Sequence, residues 1–161
     1  MSLTGTLYVD ASFVVSSTSG PDTKSVQSSI QHRESYTDGT SANQVQQSYA
    51  KTATLAATSE TLDLTNLTGP LGTTVNFTKV RTLVIENKAT TSGYNLKIGG
   101  AASNVFSSIV DNSSDIIILP PGGVLVLSSP VDGYTVSGSV KNLKIDSGAN
   151  SVSYSIQIEG V

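Results

Sequence analysis

The sequence predicts an all-β protein: a single antiparallel β-sandwich, jelly-roll-like, with an extended N-terminal strand or arm. Three observations carry that expectation. First, the stretch from Phe77 to Gly100 alternates with a two-residue period, placing Phe77, Lys79, Arg81, Leu83 and Ile85 on one side and Val80, Thr82 and Val84 on the other. Such alternation is the signature of a strand. Second, short apolar segments are repeatedly stopped by Gly and Pro, as at Pro120-Pro121-Gly122-Gly123 and from Pro130 to Gly133, the punctuation of many short strands in a sandwich or jelly roll. Third, only 13% of residues are charged and 37% are hydrophobic. Ser, Thr, Asn and Gly make up much of the rest, and Ser, Thr and Asn compete with helical hydrogen bonding.

Length and charge narrow the class further. A chain of 161 residues fits one domain, able to bury about 70% of its unfolded surface. A formal charge of −3, with nine basic residues scattered along the chain, argues against a nucleic-acid partner. There is no cysteine, so disulfides and thiolate metal sites are excluded. Met1-Ser-Leu-Thr-Gly5 has neither a basic n-region nor a continuous apolar h-region, so no signal peptide is expected. The longest apolar run, Ile116 to Leu119, is too short to span a membrane. Asn66-Leu-Thr68, Asn76-Phe-Thr78 and Asn112-Ser-Ser114 match the glycosylation sequon and read as turn chemistry.

From the N-terminus, Leu3, Leu7, Val9, Ala11, Phe13 and Val15 occupy one face of a long strand, with Thr4, Thr6, Tyr8, Asp10 and Ser12 on the other. Gly20-Pro21-Asp22 breaks it. Val26, Ile30 and Tyr36 share a face with His32 and Glu34 in a more polar strand, and Asp38-Gly39 supplies a turn. Residues Asn43 to Tyr49 are rich in Gln; Tyr49, Ala53, Leu55 and Ala57 then mark a strand ending at Ser59-Glu60. Residues 1–50 are accordingly read as extended strands or an arm packing on or beyond the sandwich, and 51–161 as the sandwich domain. A flexible, partly ordered N-terminal region is the alternative for the polar first third.

Leu62, Leu64 and Leu67 form either a strand end or one helical turn. The Phe77–Gly100 stretch is predicted to be a β-hairpin: a strand through Leu83 and Ile85, a loop with Asn87, Ser92 and Gly93, and a strand through Tyr94, Leu96 and Ile98. After a loop anchored by Phe106 come strands at Asp115–Leu119, at Val124–Leu127 and around Tyr134 and Val136. A closing hairpin follows, through Leu143 and Ile145, then Tyr154, Ile156 and Ile158. The two hairpins echo one another at a constant offset of 60 residues: Leu83/Leu143, Ile85/Ile145, Tyr94/Tyr154, Leu96/Ile156, Ile98/Ile158 and Gly100/Gly160. The predicted core comprises Leu83, Ile85, Leu96, Ile98, Leu125, Leu127, Leu143, Ile145, Ile156 and Ile158.

No catalytic constellation stands out, so no enzyme activity and no cofactor are expected. His32 is the only histidine, and no serine sits in a Gly-x-Ser-x-Gly elbow. Gly99-Gly100 and Gly122-Gly123 lack the Lys and following helix of a phosphate loop. Asp111-Asn-Ser-Ser-Asp115 offers two carboxylates in a short loop, a donor set that suits calcium, but it departs from the spacing of a calcium-binding helix-loop-helix, lacks a following bidentate Glu and is what an unliganded turn prefers, so no metal is expected.

Several runs resemble small virion structural proteins of tailed bacteriophages. They are Thr37-Asp-Gly-Thr-Ser-Ala-Asn-Gln44, Thr54-Leu-Ala-Ala57, Glu60-Thr-Leu-Asp-Leu64, the spaced set Val75, Phe77, Val80, Leu83, Ile85 and Asn87, and Ile98-Gly-Gly-Ala-Ala-Ser-Asn104. Pro121-Gly-Gly123, Pro130, Gly133-Tyr134 and the closing Tyr154, Ile156, Ile158 and Gly160 continue the likeness, which covers most of the chain from Asp38 onward. The resemblance implies a structural role in the virion: a capsid decoration (cement) protein on the outer capsid surface, or a tail component such as a tube, adaptor or fibre-base protein. Its expected partners are further copies of itself, in an oligomer such as a trimer, and the major capsid protein or other virion proteins. A carbohydrate-binding module on a similar sandwich is the remaining reading, weakened by 6% aromatics and no Trp. The N-terminal strand has an apolar face but little nearby sequence to cover it, so Leu7, Val9 and Phe13 are the expected interface anchors.

Overall fold

A computed structural model describes residues 2–19 and 22–161. The Gly20-Pro21 part of the expected chain break lies outside the described residues. The protein is all-β. Its strands are β1 (Gly5–Ser19), β2 (Asp22–Asp38), β3 (Gln44–Val45), β4 (Gln47–Ala56), β5 (Ser59–Asp63), β6 (Leu67–Thr68), β7 (Thr74–Val75), β8 (Lys79–Asn87), β9 (Leu96–Gly99), β10 (Ile116–Leu119), β11 (Val124–Ser128), β12 (Tyr134–Thr135), β13 (Asn142–Asp146) and β14 (Ser151–Gly160). One 3-10 turn, Ser107–Ile109, is the only helical element among the described residues.

The strands form several sheets. One has the order β11-β8-β14-β4, with β12 paired to the start of β8; a second has the order β10-β9-β13-β5. Every pairing within these two sheets is antiparallel. The buried side chains of both belong to one hydrophobic cluster, with Leu83, Ile85, Ile156 and Ile158 from the first sheet and Leu96, Ile98, Leu143 and Ile145 from the second. These eight are the predicted core residues that the structure buries. Leu125 and Leu127 are corrections, because they are only half-buried. Strand β11 is the last in its sheet, so no neighbouring strand covers its open side.

The two expected hairpins are also corrected. Strands β8 and β9 lie in different sheets, as do β13 and β14, so each segment crosses between sheets as an arch. The corner chemistry explains the crossing. Asn87, fully buried, donates from Nδ2 to the carbonyls of Tyr94 (2.9 Å) and Leu119 (3.0 Å), while its Oδ1 accepts the Ala89 N–H (3.0 Å). The side chain thus satisfies the backbone where the chain leaves one sheet for the other. Sixty residues on, buried Ser147 does the same in the second arch, donating to the Thr58 carbonyl (2.9 Å) and accepting the Thr58 N–H (3.2 Å).

The echo in the sequence therefore has a spatial meaning. The two arches pack against one another, with Leu83 opposite Ile158, Ile85 opposite Ile156 and Ile98 opposite Ile145. Two further arches flank them, β10/β11 on one side and β4/β5 on the other. The region from Leu62 to Leu67 ends β5 in a non-helical turn, in which Asp63 Oδ1 accepts both the N–H (3.0 Å) and the hydroxyl (2.6 Å) of Thr65, and Leu64 and Leu67 enter the core. At the chain's end a bulge at Glu159/Gly160 brings the backbone against β8, where Val161 and Lys79 exchange backbone hydrogen bonds.

Strands β1 and β2 stand apart. They pair antiparallel in unbroken register from Gly5 opposite Tyr36 to Ser19 opposite Asp22. Beyond its base, this ribbon pairs with no other strand; only Thr37 and Asp38 of β2 meet β3, in a short parallel contact.

Candidate functional site

The ribbon is the part of the molecule that its own core does not explain. Cross-strand partners share a face, so Ala11, Phe13 and Val15 of β1 lie on the same face as Val26 and Ile30 of β2. None of these five belongs to the core cluster. Phe13 is 69% exposed and Ile30 72%. Two-stranded ribbons are marginally stable alone in water, and a long ribbon with an apolar face and open edges invites pairing.

The base of the ribbon, by contrast, is built into the fold. Tyr36 is buried, and its hydroxyl accepts a hydrogen bond from Thr82 Oγ1 (2.9 Å) and lies 3.3 Å from Ser128 Oγ. Asp38 Oδ1 accepts the Leu3 N–H (3.1 Å), and the Asn43 N–H donates to the Pro130 carbonyl (2.8 Å). Arg81, 2% exposed, donates through Nη1 to the Val131 carbonyl and through Nη2 to the Ser41 carbonyl (3.2 Å). One guanidinium thereby ties the turn after β2 to the loop after β11, and its rigid fork suits two carbonyls at once.

Under the base lies a hollow of about 600 Å³, lined by Leu3, Leu7, Tyr36, Ser48, Val84 and Glu159 among others. Burial pushes the Glu159 carboxyl above its ordinary range, against the pull of the Gln157 amide and the Ser48 hydroxyl, which both donate to Oε1. Its other oxygen, Oε2, is buried without a hydrogen-bond partner. A carboxylate desolvated in this way sits more easily with its proton on.

The three expected anchors therefore occupy different surroundings. Leu7 and Val9 are half-buried near the base, Leu7 against the hollow, whereas Phe13 lies on the free part of the ribbon. Val26 and Ile30 join Phe13 on its face and were absent from the expected anchors. Their alternation was visible in the sequence, but only the pairing register places them beside Phe13.

His32 lies on the ribbon opposite Val9, with Nε2 3.3 Å from Glu34 Oε1 of its own strand. Among the described residues no serine hydroxyl hydrogen-bonds to it. The Asp111–Asp115 loop is closed by its own groups: Asp115 Oδ2 accepts the Asn112 N–H (2.8 Å) and Asp111 Oδ2 accepts from Asn112 Nδ2 (3.2 Å). Among the described residues no cluster of three His, Cys, Asp or Glu side chains has metal-binding geometry. No helix among them is long and apolar enough to cross a membrane.

No protein-family model matches this chain, and no curated protein matches it in sequence.

Proposed function

We propose that this chain is a structural subunit of a tailed-phage virion, a capsid decoration protein that binds the outer capsid surface as an oligomer through its β1–β2 ribbon. The observation that carries this reading is the ribbon itself: a long, unpartnered projection with one exposed apolar face, anchored to the hydrophobic core by Tyr36 and Arg81. Such a projection contributes little to the stability of its own domain and is suited to lying along a neighbour. The strand orders β11-β8-β14-β4 and β10-β9-β13-β5 support a jelly-roll-like sandwich, since consecutive strands occupy corresponding places in the two sheets. The resemblance carried by the runs from Asp38 onward supports the address in a phage particle. The role is non-enzymatic and needs neither metal nor cofactor.

The test is to add the purified chain to particles that lack it and image them by electron microscopy. Density on the outer capsid surface is expected from the full chain. A variant whose ribbon is shortened by excising residues 11–30 and rejoining Asp10 to Gln31, which face each other in the register, is expected to leave the surface bare. Density confined to the tail, or unchanged binding by the shortened chain, overturns the reading.

A further inference from the structure

The outer face of the sheet β11-β8-β14-β4 is graded from one end to the other. Its side chains alternate with the core residues Leu83, Ile85, Ile156 and Ile158, so they point away from the core. In the register, Ser48, Glu159, Thr82 and Ser128 stand side by side across β4, β14, β8 and β11. The next row is Ala50, Gln157, Val84 and Val126. In the first row Thr82 is buried and the other three are half-buried; in the second, Ala50, Gln157 and Val126 are exposed. Nothing in the sheet itself produces that step. The first row is covered by the base of the ribbon. Tyr36 of β2 reaches Thr82 and Ser128, and the segment from Leu3 to Tyr8 faces Glu159 across the hollow.

Glu159 is the one carboxyl of this row. Ser48 and Gln157 donate to its Oε1, while Oε2 is buried with no partner. Among the described residues that line the hollow none is basic. A buried carboxylate without a cation bears the cost of its lost hydration, which a neutral carboxyl largely escapes. Water reaches Oε2 only when its cover moves. The surrounding elements supply no compensating charge. On the ribbon, the Tyr8 hydroxyl donates to Asp10, the Tyr36 hydroxyl is held by Thr82, and Glu34, opposite Leu7, lies 3.3 Å from His32. On the sheet, Lys51 of β4 pairs with Glu60, Glu86 of β8 lies two rows away beside Lys88, and Arg81 is turned to the Val131 and Ser41 carbonyls.

We infer that the base of the ribbon is a proton-controlled hinge: it stays seated on the first row while the Glu159 carboxyl is neutral, and ionisation of Glu159 lifts it so that water reaches Oε2. The Arg81 tie between the turn after β2 and the loop after β11 is the pivot, since it does not involve the first row. Burial raises the pKa of the seated carboxyl. Seating is therefore favoured most below the ordinary carboxylate value and weakens as pH rises through the seated value. As a control on the projection proposed to grip a capsid, the hinge rests on that reading; the motion itself does not.

The motion is measurable because the chain has no cysteine of its own. Spin labels on Ser17→Cys, far out on the ribbon, and Ser151→Cys, at the start of β14, occupy exposed positions. From Gly5 to Ser17 the ribbon spans about 40 Å at the usual rise of a strand, so a tilt of about 15° at its base moves the tip by about 10 Å. Double electron–electron resonance on the doubly labelled chain, diluted into unlabelled chain, reads that distance from pH 4 to pH 8. The wild type is expected to show one narrow distribution at pH 4 and a population displaced by about 10 Å at pH 8. Glu159→Gln, which cannot ionise, is expected to keep the pH 4 distance throughout. Val84→Lys, diagonal to Glu159 in the register, brings an ammonium to the carboxylate and is expected to keep the ribbon seated at pH 8 as well. A wild-type distance that ignores pH overturns the inference. So does a Glu159→Gln or Val84→Lys chain that moves as the wild type does, since another group would then drive the motion. An unmoving ribbon on a chain that decorates capsids refutes the hinge and leaves the virion role standing. A ribbon that moves as expected on a chain that binds no particle does the reverse.

Discussion

A graded set of truncations separates the core from the ribbon. Ile85 is 0% exposed, between Leu125 and Ile156 in the sheet. Truncating it to Ala removes three carbons at ~0.8 kcal/mol each. A partly collapsed cavity of about 70 Å³ adds about 1.7 kcal/mol at ~24 cal/mol per Å³, for a total of about 4 kcal/mol. Leu125, half-buried on the edge strand, should lose about half as much, roughly 2 kcal/mol. Ile30→Ala should stay within about 0.5 kcal/mol, because its side chain has no core to leave. Urea unfolding below the concentration of self-association, read as a shift in midpoint at constant slope, measures all three. If Ile30→Ala costs as much as Leu125→Ala, the ribbon packs on its own domain and its assignment to assembly fails. A cost below about 1 kcal/mol at Ile85 would refute a core shared by the two sheets.

Four further outcomes are expected. Tyr154 is fully buried with no partner for its hydroxyl, so Tyr154→Phe should raise stability by about 1 kcal/mol, and a loss in thermal unfolding would reveal a bonded hydroxyl. A Cβ on Gly160 would stand 2.2 Å from the Lys79 carbonyl oxygen, which is held by the Val161 N–H; Gly160→Ala should therefore cost about 3 kcal/mol, and a neutral result would show that the bulge relaxes. Because burial raises the folded pKa of Glu159, its contribution is full below the ordinary carboxylate value and is lost as pH rises through the folded value. The Tm advantage of Glu159→Gln over wild type should accordingly grow from pH 4 to pH 7, and a constant difference would show the carboxylate to be solvated. Asp63 and Asp146 act in the opposite sense. Partial burial of Asp63 is outweighed by hydrogen bonds from Lys141 and Thr65, and the Gly148 N–H and Lys144 hold Asp146 low. Their stabilisation is lost as pH falls below the ordinary carboxylate range.

The all-β class, the positions of most strands and the buried faces of β8, β9, β13 and β14 were legible in the sequence, because a two-residue period records which side of a strand meets the core. The same period carries no record of which strand lies alongside. Leu83 and Leu96 alternate identically whether their strands pair directly or sit in opposing sheets, so both arches read as hairpins. The corner residues Asn87 and Ser147 held the missing clue, sharing the 60-residue offset of the echo. As isolated polar residues, however, they look like ordinary turn formers until the carbonyls they satisfy are known.

The site divides in the same way. Local sequence alone determined that residues 3 to 15 form a strand with one apolar face, since alternation and β-branched side chains act within a few residues. The absence of cysteine and of clustered histidine was equally plain. Only the tertiary structure decided that this strand pairs with β2 rather than with the core, that Arg81 is a buried tie at the ribbon's root, and that β11 is an open rim where Leu125 and Leu127 remain half-covered. Pairing partners and sheet edges depend on contacts between residues distant in the chain, and a side chain's burial depends on what those distant segments leave uncovered.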